Sequence, residues 1–299
     1  MTSELGPVVL GGNVFGWTAN KDESFAVLDA FVAAGGRSID TADVYSAWVP
    51  GNAGGDSEEI IGEWVASRGN RDSVHIATKV SSLEARPGLS AANLAAAVDD
   101  SLRRLQTDYI DLYYAHNDDK DVAQEEYVAA FDALVKAGKV RAVGASNFEA
   151  DRVRSAVEIA KAQGLTPFTF AQDRWSLVER GIETGLVPTL AELGITELPY
   201  SSLASGFLSG KYRAGGPAVD SPRAGGASRY LEVPANIELL STLDDVATAH
   251  GADVASVALA WLRAQDVVGA PIASARTVAQ VPALMNVIEL TAEELAALS

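Results

Sequence analysis

A short apolar segment followed by an amphipathic stretch recurs along the 299-residue chain, and this alternation constrains the fold more than any single motif does. Apolar strands separated by helix-length segments cannot pair as hairpins. They lie parallel, with each helix crossing over to cover a sheet face. The apolar runs predict strands at 8–12, 38–41, 74–79, 109–116, 140–146, 168–172, 195–200 and 267–274. Helical spacing predicts helices at 23–34, 57–67, 90–105, 122–136, 149–163, 186–193, 237–250, 254–264 and 278–286. In 90–105, Leu94, Val98, Leu102 and Leu105 follow mostly i to i+4 steps behind a Ser90 cap. Gly35-Gly36 and Gly138 read as helix stops, Ser57 as a helix cap, and 215–228 as a Gly/Pro/Ser-rich loop. No linker or low-complexity tract divides the sequence. Eight strands with crossovers predict an α/β, (β/α)8 TIM barrel forming one domain over 1–299. Its active site is expected at the C-terminal ends of the strands.

Composition narrows the function classes. A hydrophobic fraction of 48% supplies a large core, and no uncharged apolar run of about 18 residues predicts a membrane-spanning helix. The first seven residues, Met1 to Pro7, lack the basic and apolar regions of a signal peptide. The chain has no cysteine, which removes disulfides, thiolate catalysis and cysteine-ligated metals and is expected of a cytoplasmic enzyme. Three scattered histidines predict no His-rich metal site. A formal net charge of −17 argues against nucleic acid and anionic membranes as partners, so an anionic ligand needs a local cationic site.

Three predicted strand ends carry polar groups suited to one chemistry. Ile39-Asp40-Thr41-Ala42-Asp43-Val44-Tyr45 places a carboxylate and a phenol five residues apart. His75-Ile76-Ala77-Thr78-Lys79 ends in an amine, and Asp111-Leu112-Tyr113-Tyr114-Ala115-His116 ends in an imidazole. In a parallel barrel, Asp40, Tyr45, Lys79 and His116 converge at one rim as a buried proton-donor site, the requirement of carbonyl reduction. Asp43 reads as structural or solvent-facing. His75 begins its strand and His250 lies on a helix, so both read as structural.

These blocks, together with Leu10-Gly11-Gly12-Asn13-Val14-Phe15-Gly16, Ser57-Glu58-Glu59-Ile60-Ile61-Gly62, Gly144-Ala145-Ser146-Asn147-Phe148, Gln172 and the 199–211 segment, come in an order that resembles the aldo-keto reductases over nearly the whole length. The resemblance implies an NADPH-dependent oxidoreductase that reduces an aldehyde or ketone reversibly, with a catalytic tetrad of Asp40, Tyr45, Lys79 and His116. Tyr45 is the expected proton donor. A free phenol titrates near ~10, and an ammonium from Lys79 is expected to lower that value, with Asp40 orienting the lysine. His116 is expected to hydrogen-bond the carbonyl oxygen.

The resemblance also implies a cofactor site. Gly12, Asn13, Val14 and Asp40 lie on the nicotinamide side, Ser146, Asn147 and Gln172 hold the carboxamide, and Tyr200 stacks on the ring. Ser201 and Leu203 are further cofactor candidates, and Ser205, Leu208, Ser209 and Lys211 lie in the loop expected to cover the pyrophosphate, with Lys211 its counter-charge. At the entry to the last barrel helix, Ser274 and Arg276 are expected to meet a 2′-phosphate with help from a helix N-terminus, and Gln280 is a further cofactor candidate. Trp17, Tyr45, Trp48, His116 and Asn117 are the substrate candidates, with Asp118 and Trp175 beside them.

Some positions depart from the family pattern. Gln280 stands where a basic residue is frequent, Leu284 where an Asn often contacts adenine, and Ser202 where a Pro usually stiffens the loop. About seven residues precede the first strand, where the family usually has a longer hairpin, which predicts a partly open barrel bottom. One other function stays open in the sequence, a cofactor-binding sensor with little turnover, although an intact tetrad argues against it; an isomerase or lyase using Lys79 as a Schiff-base amine leaves Ser146, Asn147, Gln172 and Tyr200 unexplained. The substrate and the oligomeric state are not encoded in any of these motifs.

Overall fold

The computed structural model describes residues 5–299; residues 1–4 of the segment read against a signal peptide lie outside it. Eight strands are present: β1 (Val9–Gly11), β2 (Ser38–Asp40), β3 (His75–Val80), β4 (Ile110–Ala115), β5 (Val140–Ser146), β6 (Phe170–Gln172), β7 (Thr196–Glu197) and β8 (Ile272–Ala273). They lie parallel in the order β7-β6-β5-β4-β3-β2-β1-β8. The two ends of that order meet. Glu197 N–H donates to Val267 O at 2.8 Å, Gly269 N–H to Glu197 O at 2.9 Å, and Ile272 N–H to Pro199 O at 2.8 Å. These bonds close the sheet into the expected (β/α)8 barrel.

Helices α1 (Lys21–Ala33), α2 (Asp56–Arg68), α3 (Ala91–Leu105), α4 (Gln124–Lys136), α5 (Ala150–Gln163) and α6 (Leu186–Leu193) follow β1 to β6 in turn. After β7 come a 3-10 segment (Ala204–Ser209), a short α7 (Ala224–Ser228), α8 (Pro234–His250) and α9 (Val254–Arg263). After β8 come α10 (Val281–Met285) and α11 (Ala292–Leu298). Among the described residues, no helix is long and apolar enough to cross a membrane.

The departures from expectation have local causes. Strands β7 and β8 are two residues each, because Pro199 and Pro271 lack the N–H that a longer ladder needs. Ser57 does not cap α2; Gly55 does, at φ 84°. The Ser57 hydroxyl instead donates to Gly12 O at 2.8 Å and accepts from Thr41 at 2.8 Å, tying the loop after β1 to the end of β2. The 215–228 loop contains α7. Helix α11 was not expected, although Thr291 and Glu294 form a reciprocal capping box ahead of it. His250 bonds Glu294 at 2.8 Å and so joins α8 to α11, a structural role as read.

Three apolar clusters follow from this topology. Val9, Ala77, Leu112, Tyr114, Phe170 and Ile272 fill the barrel interior. Leu5 belongs to the same cluster and packs by Gly269. It occupies the N-terminal end of the barrel, where a partly open bottom was expected. The largest cluster lies between the strands and the helices around them. A third gathers the 3-10 segment, α7, α8, α9 and α11. Trp175 is part of this third core, buried and 6.2 Å from Trp261 in a T-shaped pair.

Gly62 is where α2 meets α3, and a Cβ built there would lie 2.2 Å from Arg104 O. Backbone cannot move aside as a flexible side chain can. Gly62→Ala is therefore expected to lower unfolding free energy by about 1–3 kcal/mol in urea denaturation. An unchanged midpoint would show that the two helices can separate at no cost.

Candidate active site

Parallel pairing sets the tetrad. The register aligns Asp40 with Ala77 and Lys79 with Tyr114, so Asp40, Lys79 and His116 end neighbouring strands on one rim. Tyr45 comes from the loop after β2. The Lys79 ammonium donates to Asp40 Oδ2 at 2.6 Å, to Thr41 O at 2.7 Å and to the Tyr45 hydroxyl at 3.0 Å. All three of its protons are used. Burial of Lys79 opposes its charge, but Asp40 and then Tyr45 outweigh burial and hold it charged above the usual range. Asp40 Oδ1 accepts from Gln172 Nε2 at 2.8 Å, so both carboxylate oxygens are fixed.

Lys79 does pull the Tyr45 phenol down, as expected. Burial is the larger effect, however, and the phenol is pushed up to about 12. Tyr45 thus keeps its proton at neutral pH. Burial, and then Lys79, push His116 down to about 3, so its ring is neutral. The His116 and Tyr45 rings sit 6.1 Å apart, and His116 Nδ1 is buried with no hydrogen-bond partner among the described residues.

A cavity of about 450 Å³ opens beside the tetrad. Of the expected cofactor residues, Asn13, Asp40, Tyr200, Ser201, Leu203, Ser205, Lys211, Ser274, Arg276 and Gln280 line it. Trp17 and Tyr45 line it as well. The carboxamide candidates are linked to one another. The Tyr200 hydroxyl donates to Asn147 Oδ1 at 2.7 Å, Asn147 Nδ2 donates to His116 O at 2.9 Å, and Ser146 Oγ donates to Gln172 O at 2.6 Å.

Other candidates lie elsewhere. The Val14 and Leu208 side chains are fully buried in apolar clusters, which leaves only their backbone for a ligand. Gly12 permits a close approach, since a Cβ there would lie 2.9 Å from Ser57 Oγ and 3.0 Å from Asp40 O. Trp48 is 49% exposed and stands edge-on to Trp17 at 5.7 Å and Tyr45 at 6.2 Å. Asn117 is exposed and donates to Ser82 Oγ at 2.6 Å. Asp118 is engaged by Arg152 through two bonds of 2.7 and 2.9 Å, so it is not a free acceptor for a substrate hydroxyl. Leu284 packs in the core. Ser202 donates to Pro199 O at 2.9 Å, which ties down the loop that the missing proline was expected to loosen.

The expected helix N-terminus after β8 is slight. A 3-10 turn, Val278–Gln280, precedes the five-residue α10, and Gln280 accepts the Arg276 N–H at 2.7 Å. Positive charge at this end comes from side chains. Sequence reading missed one of them, Arg223, which sits in the 215–228 loop and lines the cavity. Its guanidinium donates to Asn13 Oδ1 at 3.2 Å, an oxygen that also accepts from Ser274 at 2.7 Å, and it lies 5.6 Å from the Trp17 ring centre. Burial, and then Arg276, push Arg223 below its usual value. A lone Arg in a Gly/Pro/Ser loop has no periodic signal; only the fold shows where it points.

Asp43 is also not solvent-facing. It is 1% exposed, and among the described residues no side chain bonds either carboxylate oxygen. Its neighbour Glu58 accepts from Thr78 at 2.5 Å and from Arg104 Nε at 2.6 Å. Burial first, and then Glu58, push Asp43 up to about 8. The native state therefore keeps a proton that the unfolded chain has released above pH ~4. Stability from that proton is full below this range and is lost as pH rises through about 8. Asp43→Asn is expected to raise the melting temperature more at pH 8 than at pH 5. Equal melting shifts at both pH values would contradict a protonated Asp43.

Comparison with known proteins agrees with this geometry. The family model described as Aldo/keto reductase family matches residues 7–299. A norsolorinic acid reductase of Emericella nidulans is 34% identical over 97% of this chain and 76% of its own. An aryl-alcohol dehydrogenase [NADP(+)] of Phanerodontia chrysosporium is 32% identical, covering 96% and 79%. An uncharacterized oxidoreductase of Bacillus subtilis is 32% identical, covering 95% and 88%. With the barrel and the Asp40–Lys79–Tyr45–His116 rim in place, these matches establish that the chain belongs to the aldo/keto reductase family.

Proposed function

We propose that this oxidoreductase reduces an aldehyde or ketone to the alcohol, reversibly, with NADPH as the hydride source. The observation that carries the reading is the bonded series Asp40–Lys79–Tyr45, ending in a protonated phenol at the edge of a cavity. The cavity also suits a phosphorylated dinucleotide. Arg223 and Arg276 both line it, Arg276 depresses the charged form of Arg223, and the cavity contacts of Arg223, the Asn13 oxygen and the Trp17 ring, are uncharged. Guanidiniums gathered in one cavity favour phosphate groups there.

When bound, NADPH supplies hydride to the carbonyl carbon. Charge then develops on the substrate oxygen, and Tyr45 transfers its hydroxyl proton there. The resulting tyrosinate is stabilised by Lys79 at hydrogen-bond distance, and Asp40 keeps that lysine charged and oriented. His116, being neutral, donates an N–H to the same oxygen without adding charge. Asn147, Gln172 and Ser146 orient the carboxamide, Tyr200 takes the ring, Lys211 and Arg223 take the pyrophosphate, and Arg276 with Ser274 takes the 2′-phosphate.

The edge-on pair Trp17–Trp48, next to Tyr45, offers an aromatic wall. Together with relatives named for aryl alcohols and norsolorinic acid, it favours an aromatic aldehyde or ketone as substrate.

The test is loss of reduced-nicotinamide absorbance against a panel of aldehydes and ketones. Tyr45→Phe is expected to cut kcat by roughly 100-fold or more while NADPH still binds. Equal activity in the variant would remove Tyr45 as the proton donor, and tight NADPH binding with no turnover on any carbonyl would favour a sensing role. Arg276→Ala is expected to weaken NADPH about tenfold more than NADH, the scale of one lost charged hydrogen bond. Calorimetric titration showing equal weakening would place Arg276 away from the 2′-phosphate.

A further inference from the structure

A second pair of buried acids lies beside the tetrad and takes no part in the proton series. Glu197 on β7 is fully buried, and its Oε1 accepts the Asp173 N–H at 2.8 Å. Its other oxygen has no partner among the described residues. Asp173 directly follows β6, is 6% exposed, and accepts the Asn147 N–H through Oδ1 at 3.0 Å. The carbonyl oxygen of Asp173 accepts the Tyr200 N–H at 2.9 Å. One residue thus holds the backbones of both Asn147 and Tyr200. Asn147 is left-handed at φ 58°, a conformation that needs outside support in a residue other than glycine. Its side chain then reaches His116 O and the Tyr200 hydroxyl.

Two buried acids with no cation among their partners in the described residues reduce stability. The bonds above indicate what offsets that cost. We propose that Asp173 is a positioning residue whose carboxylate and carbonyl, set by Glu197, fix Asn147 and Tyr200 for the nicotinamide ring. The proposal deepens the cofactor reading above and rests on it.

The arrangement also responds to pH. Burial raises Asp173 to about 7, against the pull of the Asn147 N–H, and Glu149 pushes it further up. Burial, and then Asp173, push Glu197 well above the carboxylate range, so Glu197 stays protonated while Asp173 titrates. The other ionisable neighbours are Tyr114 on β4, which feels both acids, and Arg174, which turns toward the Tyr200 ring and Glu179. A cavity of about 420 Å³ that no tetrad residue lines reaches Asn147, Glu149, Asp173 and Gly185, so solvent protons can meet Asp173 there. Ionised Asp173 accepts the Asn147 N–H strongly, and protonated Asp173 accepts it weakly. The grip on the cofactor accordingly tightens as pH rises through neutrality.

The experiment is NADPH affinity by calorimetric titration of the full-length protein between pH 6 and pH 8, with turnover measured alongside. Wild-type affinity is expected to rise across this range. Asp173→Ala is expected to raise the NADPH Kd about tenfold at pH 8 and to lower kcat, the scale of one lost charged hydrogen bond. Asp173→Asn keeps an acceptor oxygen but cannot ionise. It is expected to recover most of the affinity at pH 6 and to lack the added rise of the wild type, the cofactor's own phosphate titration being common to both. Wild-type Kd and kcat in Asp173→Ala, with NADPH still bound by the wild type, would overturn the positioning role alone. If Asp173→Ala does not fold by circular dichroism, Asp173→Asn decides: a pH profile identical to wild type overturns the proposal. A wild type that does not bind NADPH at all would overturn the cofactor reading, and the proposal with it.

Discussion

A buried ammonium is the constraint on which the rest of the structure depends. Removing a lysine charge from water costs several kcal/mol unless its protons find partners. Lys79 finds three, all from residues 40–45. That segment lies beside β3 only because β2 and β3 pair with Ser38 opposite His75 and Asp40 opposite Ala77. Side chains alternate along a strand, so a slip of one residue would turn Lys79 away from its partners. Barrel register and site chemistry are therefore one requirement. The same contacts set the proton inventory, with Lys79 charged, Tyr45 protonated and His116 neutral.

The charge distribution separates surface from cavity. The whole chain carries −17, yet the cavity collects Lys211, Arg223 and Arg276. Repulsion from an acidic surface fades beyond about 8 Å at physiological ionic strength, whereas desolvated guanidiniums act at contact. An anionic ligand would thus be selected at short range, by groups from two loops, the one that carries Lys211 and Arg223 and the one after β8 that carries Arg276. Asn13 joins the two by accepting from both Ser274 and Arg223.

Much of this was legible in the sequence, and the limits have physical causes. The strand–helix alternation identified the barrel, because parallel strands covered by helices leave a strong apolar period. Asp40, Tyr45, Lys79 and His116 could be placed on one rim, because strand ends in a barrel necessarily converge. Strand lengths near Pro199 and Pro271 were overestimated, since hydropathy ignores a missing N–H. Ser57 looked like a cap but serves a tertiary bond to Gly12 and Thr41, which local spacing cannot reveal. Arg223, Asp43 and the Asp173–Glu197 pair were missed or misread for a common reason. Whether a polar residue faces water, a cavity or another acid depends on partners far away in the chain. Burial also reversed the net effect expected on the Tyr45 phenol, and burial is a property of the fold alone.

The seam that closes the barrel has a consequence for how the molecule is made. Strand β1 pairs on one side with β2 and on the other with β8, where the partners Val9–Ile272 and Leu10–Ala273 each lie 263 positions apart in the chain. During synthesis from the N-terminus, one edge of β1 therefore stays unpaired until nearly the whole chain has emerged. An open parallel edge invites pairing with other chains, and distant contacts form slowly. The short β1, three residues long, limits that exposure. Gly11 and Ser274, which line the cavity from the two sides of this seam, come together only when the bonds between β1 and β8 form.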